Sequence, residues 1–64
     1  MTILELFRIL RNYEYIIIEH NETGLYKGLP GHIPMGLMDN HVNKIYPAEH
    51  IDGDKGTLCL VIEV

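Results

Sequence analysis

The chain contains no serine, no glutamine and no tryptophan, and a single cysteine, Cys59. Without serine there is no serine nucleophile. One cysteine excludes an internal disulfide. Together with the lack of a secretory signal, it fits a reducing, cytoplasmic setting. Met1 to Leu10 is apolar, but Glu5 and Arg8 interrupt it and no cleavage site follows. No apolar run approaches the length of a membrane span. Five Lys and Arg against nine Asp and Glu leave a net charge of −4, so the basic stripe that direct nucleic-acid binding needs is missing. CxxC pairs, phosphate-binding glycine loops and HExxH are missing too.

What is present is a short chain with two strongly apolar stretches. At 64 residues it is one domain, 1–64, and such a chain buries only about 60 % of its unfolded surface. Domains of this size draw extra stability from disulfides, a metal or oligomerisation. Cys59 alone leaves the last two. The acidic excess serves solubility, and it also suits docking onto a basic surface such as a protein groove that normally holds nucleic acid.

Thr2 and Glu5 have the spacing of a capping box. Ile3, Leu6, Phe7 and Leu10 then repeat at helical period, flanked by Leu4 and Ile9, and Arg8 and Arg11 complement the helix dipole in the last turn. Tyr13 to Glu19, rich in aromatic and β-branched residues, reads as the first strand. Asn21 and Gly24 mark a reversal into a short strand, Leu25 to Gly28. Pro34 to Asp39 is a helical turn or two with Pro at its start. Val42 to Tyr46 is a third strand stopped by Pro47, Ala48 to Gly56 a polar loop, and Thr57 to Val64 the last strand. The expected fold is α+β, in the order α-β-β-α-β-β. Its four-stranded sheet is mostly antiparallel with the first and last strands central, and both helices lie on one face.

Alternation puts Leu58, Leu60, Ile62, Val64, Ile16 and Ile18 under the helix and Tyr13, Tyr15, Ile17, Cys59 and Val61 on the opposite side. So little helix cannot roof both faces. The second face is therefore either half-buried under the loop from Leu29 to Pro34 or an interface. As an interface, Tyr13, Tyr15 and Ile17 supply amphipathic contact area. Glu14, Glu19 and Glu22 would face basic groups on a protein partner.

Four histidines, His20, His32, His41 and His50, fall in loops or near strand ends, where two or three of them with Asp39, Glu49 or Asp52 would make a zinc site. No pair has the spacing of a zinc finger, and solvated loop histidines are the simpler account of them. Asp52 to Gly56 is no calcium loop, because Thr57 stands where the sharp-turn glycine belongs and Gly56 where an oxygen ligand belongs. Cys59 lies among apolar strand neighbours, where thiols are inert, and the expectation is that the chain is not an enzyme.

Met1-Thr2-Ile3-Leu4-Glu5-Leu6-Phe7, the Asn21-Glu22-Thr23-Gly24 turn after a Tyr/Ile strand, and Lys44-Ile45-Tyr46-Pro47 resemble short orphan proteins of phages and mobile elements in Gram-positive bacteria. Some of these are anti-CRISPR inhibitors. The resemblance implies a non-enzymatic protein that binds a type II RNA-guided nuclease in the host cytoplasm and blocks its DNA handling; it supplies no catalytic residues. The rival expectation is a small homodimeric structural or regulatory module closed through the same face, with zinc as a possible stabiliser.

Overall fold

Helix α1 (Ile3–Leu10) starts where the capping chemistry requires. The computed structural model describes the backbone of residues 1–64 and every side chain except those of His50 and Asp52. Thr2 Oγ1 accepts the Glu5 N–H at 3.3 Å and Glu5 Oε1 accepts the Thr2 N–H at 3.0 Å, so two otherwise orphaned donors satisfy each other's residues. At the other end the Arg11 N–H donates to the Phe7 carbonyl at 3.1 Å. Ile3, Leu6 and Leu10 are buried and Leu4 and Ile9 are exposed, as the helical spacing predicts. Among the described residues, no helix is long and apolar enough to cross a membrane.

Strands β1 (Tyr15–His20), β2 (Thr23–Gly28), β3 (Lys44–Asp52) and β4 (Lys55–Glu63) form one sheet in the order β2-β1-β4-β3. The first and last strands are central, and the two hairpins β1–β2 and β3–β4 are antiparallel. The central pair β1–β4 is parallel, with Tyr15 opposite Cys59 and Ile18 opposite Ile62, which makes the sheet mixed. Central strands flanked on both sides carry continuous apolar runs; here they are Ile16-Ile17-Ile18 and Leu60-Val61-Ile62.

The reversal after β1 is tighter than Asn21 and Gly24 imply. His20 pairs with Thr23, leaving a two-residue turn in which Asn21 (φ 48°) and Glu22 (φ 67°) both take left-handed conformations. That is the signature of a type I′ hairpin. Gly24 lies within β2 opposite Glu19, next to a bulge.

The third strand departs most from expectation. It runs through Pro47, and the segment read as a polar loop, Ala48 to Gly56, is the tip of a hairpin turning at Gly53 (φ 64°) and Asp54. A two-residue turn is closed by a hydrogen-bonded pair, here Asp52 and Lys55, and such pairs recur at every second residue. Pro47 falls between them, so its missing N–H faces the outer edge of an edge strand, where proline is tolerated.

The core lies on one side of the sheet. Ile3, Leu6 and Leu10 of α1 pack on Ile16, Ile18, Leu60 and Ile62, closed by Ile33, with Leu37, Met38 and Val42 at its margin. Of the short helix expected over Pro34 to Asp39, a single 3-10 turn forms, Met35–Leu37, and a second 3-10 turn, Pro30–His32, forms in the segment read as loop, where Pro30 supplies the helical φ at its start. Leu58, expected beneath α1, is 64 % exposed. Pairing with β1 begins only at Cys59, so β3 and β4 continue past β1 as a two-stranded arm that α1 does not cover.

Candidate protein-binding face

The residues alternating with the core positions build the other side of the sheet. Register sets them in three rows across the strands. Tyr15, Cys59 and Ala48 form one; Lys27, Ile17, Val61 and Tyr46 the next; Glu19, Glu63 and Lys44 the third. The helical residues that pack on the sheet do so from the far side. Even so, Cys59 is 0 % and Val61 4 % exposed. Their register neighbours Tyr15, Ile17 and Tyr46 are half-buried, and the Tyr46 side chain crosses β4 to reach Glu19. The face is therefore apolar at its centre and aromatic at its flanks.

Its polar groups are organised by Tyr46. The phenol reaches from β3 across β4 and donates to Glu19 Oε1 on β1 at 3.0 Å, while the Lys44 ammonium sits 5.4 Å from the centre of the same ring, within cation–π range. The hydrogen bond to Glu19 holds the Tyr46 hydroxyl above its ordinary pKa, with partial burial and the negative charges of Glu19 and Glu63 acting in the same direction.

Three predicted contact residues, Tyr15, Ile17 and Glu19, lie on this face. Tyr13 does not. The chain turns between α1 and β1, with the Tyr13 N–H donating to the Leu10 carbonyl at 2.9 Å. Strand alternation therefore does not extend back from Tyr15, and Tyr13 packs against the helix-side core. Glu14 is exposed in the same connection and helps line a shallow cavity of about 320 Å³ with Asn12, Tyr13, Gly56, Thr57 and Leu58. Glu22 is committed to the hairpin turn. Sequence reasoning missed Lys44, Tyr46 and Ala48. Their alternation is visible once Pro47 is read as an edge-strand proline instead of a stop.

The three described histidines scatter. His20 Nδ1 lies 2.6 Å from the Val64 carbonyl oxygen, and Asn21 Nδ2 approaches its Nε2 at 3.2 Å. His32 is exposed in the first 3-10 turn, and His41 is exposed in an isolated bridge with Thr2. The side chain of His50 lies outside the described residues. Among the described residues, no three His, Cys, Asp or Glu groups come together in a way that would hold a metal ion.

Compared with protein-family models, with curated proteins and with solved structures, the chain matches none.

Proposed function

We propose that this chain is a non-enzymatic inhibitor that binds a protein through the helix-free face of its sheet. The observation that carries this reading is the one-sided placement of the helix: among the described residues, Ile3, Leu6 and Leu10 of α1 pack on the Ile16, Ile18, Leu60 and Ile62 side of the sheet, opposite the face that carries Ile17 and Tyr46. Aromatic side chains around a small apolar centre, with carboxylates and ammonium groups at the margin, match the anatomy of transient protein interfaces. The net charge of −4 favours a partner with a basic surface. The resemblance to small phage and mobile-element proteins names the class of target: a type II RNA-guided nuclease, whose nucleic-acid channel is positively charged. Inhibition is then occlusion, with no bond made or broken.

The test is capture of the purified nuclease by the immobilised chain, with and without guide RNA, followed by DNA cleavage assays. Retention in either state, with cleavage suppressed, is the expected result. Ile17→Thr and Tyr15→Ala should each weaken retention, with folding of both variants established by circular dichroism. Failure to retain the nuclease in both states removes this target. Retention undiminished by both substitutions removes this face.

A further inference from the structure

The arm formed by residues 49–52 of β3 and 55–58 of β4 extends beyond β1, and the apolar residues of its helix side are exposed, Leu58 beside the shallow cavity it lines with Asn12, Tyr13 and Glu14. Ile51 is 69 % and Leu58 64 % exposed. Register places Glu49 on the same side, opposite Leu58, and Asp54 sits at the tip. A two-stranded ribbon is marginal by itself. Lys55, in register with Asp52, alternates to the other side of the ribbon, so the helix side of the arm presents an apolar surface bordered by the negative charge of Glu49 and Asp54.

The chain carries a second surface of opposite character. Leu4, Arg8 and the C-cap residue Arg11 follow helical spacing along the outer side of α1, Met1 lies just before its N-cap, and all four are exposed. Glu5, the carboxylate of this helix, is tied to Thr2 by the capping box. The stripe therefore pairs apolar side chains with two of the five Lys and Arg of the chain.

We infer that the arm docks on α1 of a second copy of this chain, reciprocally, so that each copy's arm covers the other's helix. Ile51 and Leu58 then meet Leu4 and Met1, and Glu49 and Asp54 meet Arg8 and Arg11. Arm against arm would instead bring Glu49 and Asp54 of both copies together, a like-charge contact that disfavours that pairing. Strand addition along the outer edge of β3 meets the Pro47 ring where an N–H would be needed. Made twice about a two-fold axis, the contact closes; made once, it would propagate. The face carrying Tyr15, Ile17 and Tyr46 lies on the other side of the sheet, so this assembly stands or falls independently of the proposed inhibitor function.

Sedimentation equilibrium of the full chain up to about 0.5 mM covers dissociation constants into the millimolar range. The expected result is a mass rising to that of a dimer and no further, with weaker association in high salt. Arg8→Glu/Arg11→Glu should weaken the dimer at least about tenfold, and adding Glu49→Lys/Asp54→Lys to that variant should restore it. Leu58→Lys, at an exposed position, provides a disruption that does not touch the helix, and circular dichroism confirms folding of each variant. A monomer throughout, species larger than a dimer, or association indifferent to these exchanges overturns the inference.

Discussion

The Tyr46 hydroxyl and the Glu19 carboxylate, 3.0 Å apart, join β3 to β1 across an intervening strand. Neither strand touches the other through its backbone, so this side-chain bridge stiffens the sheet along a direction the ladder leaves free.

The bridge has a pH signature. Because the folded-state pKa of Tyr46 lies above the ordinary 10.0, folding favours the neutral phenol. That contribution is complete below the unfolded value and disappears as pH rises through the raised one. Melting temperatures followed from about pH 9 to about pH 11 should fall for the wild type and fall less steeply for Tyr46→Phe. Ultraviolet titration of that variant should lose the ionisation that the Glu19 hydrogen bond delays in the wild type.

The capping box predicts the opposite end of the scale. The Thr2 backbone and side-chain hydrogen bonds hold the Glu5 carboxyl below 4.5, so its contribution is present above that value and is lost as pH falls through the lowered one. Thr2→Ala should cost about 1 kcal/mol in urea unfolding at neutral pH. It should also flatten the acid limb of the stability curve.

Burial separates two leucines that the pattern alone treats alike. Leu10→Ala, in the core, should cost about 2–5 kcal/mol and leave so small a domain largely unfolded. Leu58→Ala, on the arm, should stay within about 0.5 kcal/mol of wild type. Chemical denaturation of both variants checks the contrast.

Glu22 occupies the second left-handed position of its turn, a conformation that costs a residue with a Cβ about 1–2 kcal/mol. Replacing it by glycine, to give the Asn-Gly pair that type I′ turns prefer, should stabilise the protein by about 0.5–1 kcal/mol after the added unfolded-state entropy is counted. A rise in the urea midpoint without a change in slope is the expected readout.

Pro47 guards the outer edge of β3. Pro47→Val restores an outward N–H on a nine-residue strand that also carries Ile45 and Ile51. It should promote strand-to-strand association, seen as light scattering that increases with concentration. A variant as dispersed as the wild type would show that the edge needs no guard.

The parts of this structure legible in the sequence are those whose causes are local. Thr2, Glu5 and the Ile3–Leu6–Leu10 spacing determine α1 within one stretch of chain, and the apolar runs identify the central strands. The extent of β3 is not local. Pro47 ends a strand or continues it according to which edge faces solvent, and that depends on the strand order of the whole sheet. The same non-locality hid Lys44, Tyr46 and Ala48 from the candidate face, whereas Tyr15, Ile17 and Glu19 follow from alternation alone. Tyr13 was misassigned because the turn after Leu10 interrupts that alternation, a break the run of strand-forming residues conceals. The parallel pairing of β1 with β4 was also hidden, since short links between successive strands favour antiparallel neighbours.

That parallel pairing has a kinetic consequence. Each hairpin closes over a few residues and can form within microseconds, but the seam between Ile16-Ile17-Ile18 and Leu60-Val61-Ile62 joins segments from opposite ends of the chain and must wait for a large loop to close. The rate of folding should therefore be governed by the meeting of two preformed ribbons. Mutations along the seam would slow refolding more than they hasten unfolding, while those in either turn would leave the refolding rate nearly unchanged.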